Sequence, residues 1–96
     1  MMVLVTYDVN TETAAGKKRL RKVAKECQNY CQRVQNSVFE CILDPARLKQ
    51  LQANLEKLID PGKDSLRYYY LGDEWHSRVV HVGAKVSMDL EGTLIA

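Results

Sequence analysis

A chain of 96 residues holds one domain, and at that size much apolar surface stays in water, so dimerisation is expected. The net charge of +2 is too small to imply a nucleic-acid partner if the cations are spread evenly, which makes their clustering the informative feature. The apolar N-terminus lacks a basic region and meets Asp8 too early for a signal peptide or membrane span, so a cytoplasmic protein without a membrane partner is expected.

Residues 2–8, rich in β-branched and aromatic types, predict a first strand buried on both faces at the centre of a sheet. Asn10, Thr11 and Thr13 supply N-cap chemistry for a helix over 13–29, whose apolar positions Leu20, Val23, Ala24, Cys27 and Cys31 fall on one stripe. Lys17, Lys18, Arg19, Arg21, Lys22 and Lys25 occupy the opposite face. From Gln32 to Leu43 the pattern becomes strand-like, and Asn36-Ser37 reads as a tight turn or bulge between strands over 32–35 and 38–43. Asp44-Pro45 starts a second helix, because a proline at the first helical position loses no hydrogen bond. Leu48, Leu51, Leu55, Leu58 and Ile59 form its apolar stripe, and Asp60-Pro61-Gly62 ends it. Ser65 to Leu71 is the next strand, with Leu66, Tyr68 and Tyr70 on one face and Arg67, Tyr69 and Leu71 on the other.

The order β-α-β-β-α-β is that of a ferredoxin-like α+β sandwich. Both helices then cover one face of an antiparallel sheet and leave the other bare, and a second copy is the simplest cover. One more strand is expected from Arg78 to Gly83. On this plan 1–72 is the core of a single domain spanning 1–96, while 73–96 supply a C-terminal strand and tail that pack on a sheet edge of the dimer partner.

Asp8 is the first candidate for chemistry, since a carboxylate at the C-terminal end of a central strand stands at the rim of the sheet. One carboxylate makes a poor metal site, but two Asp8 side chains meeting at a two-fold axis would suit Mg²⁺. The plainer alternative is that Asp8 caps the region before the first helix. The basic helix face reads either as an ordinary solvated face or as a phosphate-binding one. Arg19, Arg21 and Arg33 are fork-shaped donors, and residues 17–25 contain six cations and no acid.

Cys27, Cys31 and Cys41 are odd in number and form no Cys-x-x-Cys pair, which argues for reduced thiols and against zinc or thiol redox chemistry. Cys27 and Cys31 read as small buried hydrophobes, and His76 and His81 as surface or packing residues. Tyr68, Tyr69 and Tyr70 could stack bases but fit core and interface better. No RNA-recognition run and no phosphate-cradling glycine loop is present, since Gly16 stands alone.

Val3-Leu4-Val5-Thr6-Tyr7-Asp8-Val9, the basic run Lys18 to Lys25, Arg33 to Glu40, and Asp64-Ser65-Leu66-Arg67-Tyr68-Tyr69-Tyr70-Leu71, in that order, resemble the CRISPR-associated protein two family over residues 1–83. The resemblance implies a ferredoxin-like homodimer with face-to-face sheets and exchanged C-terminal strands. It implies a metal-dependent endonuclease acting on double-stranded DNA or single-stranded RNA, with Asp8 of both subunits sharing Mg²⁺ or, in its place, Mn²⁺. By motif match, Tyr7 flanks that ligand, Phe39 lies near the cleft, and Arg19, Arg33 and more weakly Arg21 contact phosphates. The implied role is spacer acquisition in antiviral defence, the dimer bridging two dimers of the CRISPR integrase. Two rivals remain open at this point: a non-catalytic duplex-DNA clamp, whose binding would depend steeply on salt but hardly on Asp8, and a toxin-like RNase.

Overall fold

Alternation along the first strand decides how the sheet is covered. In the computed structural model, which describes residues 1–83, strand β1 (Met2–Asp8) buries Val3, Val5 and Tyr7 in the core; of the alternate residues Met2 is also fully buried, Leu4 and Thr6 are half-buried and Asp8 is exposed. The apolar run therefore does not mean burial on both sides along its whole length within one chain: beyond Met2, the far side of β1 lines an open groove at Leu4 and Thr6. Helix α1 (Ala14–Tyr30), strands β2 (Gln32–Gln35) and β3 (Val38–Ile42), helix α2 (Pro45–Leu58) and strand β4 (Ser65–Gly72) follow. The sheet order is β2-β3-β1-β4 and every neighbouring pair is antiparallel, as a ferredoxin-like α+β fold requires.

Local chemistry sets the helix ends as read from the sequence. The Thr13 hydroxyl accepts from the Gly16 N–H at 3.0 Å, and the Asp44 carboxylate accepts from the Arg47 N–H at 2.8 Å with Pro45 at the first helical turn. The stripes of the helices close on one face of the sheet, where Val23, Cys27, Leu48, Leu51 and Leu55 meet Val3, Val5, Phe39 and Cys41. No helix among the described residues is long and apolar enough to cross a membrane.

Gly16 is needed where it stands. A Cβ on this buried residue would overlap the backbone carbonyl oxygen of Asn10, and main chain cannot swing aside as a side chain would. Gly16→Ala is therefore expected to cost about 2 kcal/mol or more, read as a lower denaturant midpoint at unchanged slope.

The single chain departs from two expectations. Within the single chain no strand forms from Arg78 to Gly83: a 3-10 turn at Trp75–Ser77 precedes this segment, and its carbonyl at Trp75 takes the N–H groups of both Arg78 and Val79 at 2.9 and 3.1 Å. A strand needs a ladder partner for its N–H groups, and here the first of them are already used. Residues 80–82 instead border a groove of about 740 Å³ over the bare face, lined also by Leu4, Val38 and Tyr69. The tail over 84–96 lies outside the described residues.

The second correction concerns the cysteines. Cys31 and Cys41 form a disulfide with a Cα–Cα distance of 4.4 Å, tying the end of α1 to β3, while Cys27 alone is a free thiol, fully buried and pushed up to about 12 by that burial. Gln32 lies opposite Glu40 in the β2–β3 ladder, so the next residue outward on each strand is Cys31 and Cys41. Spacing along the chain hides this, whereas the hairpin register reveals it. The closed loop spans a sequence separation of 10, and its loss should cost about 2 kcal/mol. Denaturant melts with and without reductant are expected to differ by that amount, and a Cys31→Ser variant should show no such difference.

Candidate metal centre and nucleic-acid interface

Asp8 closes β1 at the rim of the sheet, opposite Ser65 of β4. It is exposed, and with Thr6, Ser65 and Arg67 it borders a cleft of about 240 Å³. The oxygen donors here are of the hard kind that Mg²⁺ prefers. Among the described residues no three His, Cys, Asp or Glu side chains gather as a metal cluster, and Asp8 is the one carboxylate among the residues lining this cleft. The donor type fits a divalent cation, and the donor number fits only when a second chain adds its own.

Behind the rim, one buried carboxylate organises the backbone. Asp64 is 7% exposed and accepts four hydrogen bonds. Arg19 donates from Nε to Oδ2 at 2.8 Å and from Nη2 to Oδ1 at 3.3 Å, the Asn10 N–H donates to Oδ1 at 3.0 Å, and the Asp60 N–H to Oδ2 at 2.8 Å. The Arg19 guanidinium, helped by these N–H groups and opposed by burial, holds the Asp64 carboxyl down at about 2. Arg19, read from the sequence as a phosphate contact, is thus engaged by an acid from outside its own helix. Asp64 was visible in the sequence only as part of a motif, because its partner lies 45 residues away.

Tyr7, Phe39 and Arg33 come together on the helix side of the sheet, with Asp8 one step further along the strand. Phe39 has no exposed surface, so its side chain cannot touch a substrate. It serves as a platform: the Arg33 guanidinium lies 5.1 Å from the Phe39 ring centroid, and Tyr7 stacks on Phe39 at 6.1 Å. The Tyr7 hydroxyl donates to the Asn36 carbonyl at 3.1 Å, pinning the β2–β3 turn to the end of β1. Burial raises the Tyr7 hydroxyl above its ordinary value, with Arg33 opposing, so Tyr7 is a neutral strut near neutral pH. Arg33 and Arg21 are exposed, as are Lys17, Lys18, Lys22 and Lys25, and no acid among the described residues pairs with these six. His81 lines the groove on the bare face, and His76 stacks on Trp75 at 3.6 Å. Neither histidine borders the Asp8 cleft.

These features define a small ferredoxin-like protein with a rim carboxylate, a basic helix and an uncovered sheet face. The family described as "CRISPR associated protein Cas2" matches residues 1–79. The "CRISPR-associated endoribonuclease Cas2" of Chlorobaculum tepidum is 63% identical over 95 residues, covering 99% of each chain. The "CRISPR-associated endonuclease Cas2" of Halalkalibacterium halodurans is 61% identical over 95 residues, also covering 99% of each. A crystal structure of Streptococcus pyogenes Cas2 superposes with a TM-score of 0.76 at 59% identity, covering 86% of this chain and 100% of that one. The chain belongs to the CRISPR-associated Cas2 family.

Proposed function

We propose that the protein is a CRISPR adaptation subunit that works as a symmetric dimer, with metal-dependent endonuclease activity centred on Asp8 of both chains. The observation that carries this reading is an exposed carboxylate at the end of a central strand, in a polar cleft at the rim of the sheet. A two-fold axis beside that strand end would bring the two Asp8 side chains together. The half-covered row Leu4, Val38 and Ile42, with Tyr69 42% exposed, is the surface a second copy would close. Val80 and Val82, 84% and 89% exposed, fit a segment that finds its cover on the partner.

The names of the relatives support phosphodiester cleavage and divide between endoribonuclease and endonuclease. Double-stranded DNA is favoured as substrate because the unpaired cations of α1 form a row that, doubled by symmetry, suits a continuous phosphate backbone, with single-stranded RNA as the second candidate. The partner in the adaptation role is the CRISPR integrase, bridged by the dimer. Mg²⁺, or Mn²⁺ in its place, would supply when bound a Lewis acid and a water of lowered pKa. The chain's own part is to bind and orient. Asp8 presents negative charge at the rim, the Thr6 and Ser65 hydroxyls border it, and Arg33 and Arg21 take phosphate oxygens. Tyr7 and Phe39 hold the strand end and Arg33 in place.

The test is cleavage of end-labelled duplex DNA and single-stranded RNA by wild type and Asp8→Asn, each with Mg²⁺ and with chelator. Cutting that needs both the metal and Asp8 is expected. No cutting by either protein, with DNA still bound in a salt-dependent way, would leave the scaffold reading in its place.

A further inference from the structure

We propose that Arg19 and Asp64 form a positioning pair that fixes the backbone on both sides of Asp8, and that Arg19 acts through Asp64 rather than on a phosphate. The inference rests on the reading of Asp8 as the centre of the reaction. Asp64 is tied to the chain beside Asp8 in two ways. Through Oδ1 it holds the N–H of Asn10, two residues further along the chain, and through its own backbone it leads directly into Ser65, the residue paired with Asp8 in the ladder. The Asp60 N–H on Oδ2 fixes the turn from which Asp64 projects.

The Asp64 side chain has no exposed surface, and the Arg19 side chain is 19% exposed. Two of the donors of the Arg19 guanidinium point at the two Asp64 oxygens, the fork-to-carboxylate geometry that fixes orientation as well as charge. Turning that guanidinium to a phosphate would leave Asp64 a covered carboxylate without a countercharge, which is costly. Arg21 and Arg33 are exposed and carry no such commitment. The packing beneath agrees: Gly16, one turn before Arg19, lies so close to the Asn10 carbonyl that the loop has no room to move inward.

The experiment uses the full-length dimer and the variants Arg19→Gln and Asp64→Asn. Binding of a fluorescent duplex is read by anisotropy over a salt series, cleavage is resolved into kcat and KM, and backbone amide shifts at Asp8, Val9, Asn10 and Ser65 are read by NMR. Both variants should leave the slope of log affinity against log salt unchanged. Both should lower kcat by roughly 10- to 100-fold with KM within about twofold, since a displacement near 1 Å at the reacting group has that effect. The double variant should be no worse than either single one, and both should shift the same amides. If either variant fails to fold, Arg19→Lys and Asp64→Glu, which keep the charges, carry the same comparison. The proposal is overturned if Arg19→Gln flattens the salt slope by about 0.9 per contact while Asp64→Asn keeps the wild-type slope and kcat. The slope and the amide shifts are read without cleavage, so they decide the matter even if Asp8 proves not to be the reactive centre.

Discussion

Asp64→Ala is expected to lower the unfolding free energy by about 3 kcal/mol and the melting midpoint by roughly 15 °C. The truncation removes an ion pair and leaves the Arg19 fork and the N–H groups of Asn10 and Asp60 without their acceptor, in a place that water does not reach freely. The same carboxyl gives the effect a pH signature. Its folded value of about 2 lies below the ordinary carboxylate value near 3.9, so the folded state favours the charged form. The stabilisation is therefore complete above about pH 5 and fades as the pH falls through 4 towards 2. The difference in stability between wild type and Asp64→Ala should be flat near neutrality and shrink by about 2 kcal/mol on acidification to pH 2. Denaturant titrations at several pH values measure this directly, and a pH-independent difference would show that the ionised carboxylate is not the stabilising form.

Asp8→Asn should have the opposite profile, with a large effect on chemistry and almost none on stability. Asp8 is exposed at the end of its strand, so exchanging its carboxylate for an amide should change stability by no more than about 0.5 kcal/mol. The amide cannot supply the negative charge that a divalent cation requires, and cleavage should fall by about 10³-fold or more, the scale on which loss of an electrostatic catalytic group is felt. Duplex binding should survive, because the exposed cations of α1 and Arg33 are untouched. A variant that cleaved normally would remove Asp8 from the mechanism.

Features that depend on neighbours in the sequence were legible before the structure. Thr13 and Asp44 cap the helices expected of them, Leu48, Leu51 and Leu55 are buried as their spacing requires, and Leu66 and Tyr68 turn inward as strand alternation requires. Asp8 at the rim follows from strand order alone. Pairings set by the register of distant elements were not legible. Cys31 meets Cys41 only because the β2–β3 hairpin folds back, and Arg19 meets Asp64 only because β4 returns beside β1. The cation-rich stretch of α1 contains no acid, so nothing near it in the chain hinted that one of its arginines was engaged. Phe39 could have been assigned to the core, since Val38, Glu40 and Ile42 alternate with it and Cys41; motif resemblance drew it towards the cleft instead. Residues 78–83 have the β-branched composition of a strand but form none within the single chain, because a strand exists only where an edge receives it.

The central claim is that the reactive site is shared, one Asp8 from each chain. Wild type and Asp8→Asn subunits, differently tagged, are to be unfolded together, refolded at varied ratios and assayed for metal-dependent cleavage. If both carboxylates are needed, activity follows the square of the wild-type fraction and an equal mixture retains about a quarter of the full rate. If each chain acts alone, the equal mixture retains about half, activity falls in a straight line, and the shared site is contradicted.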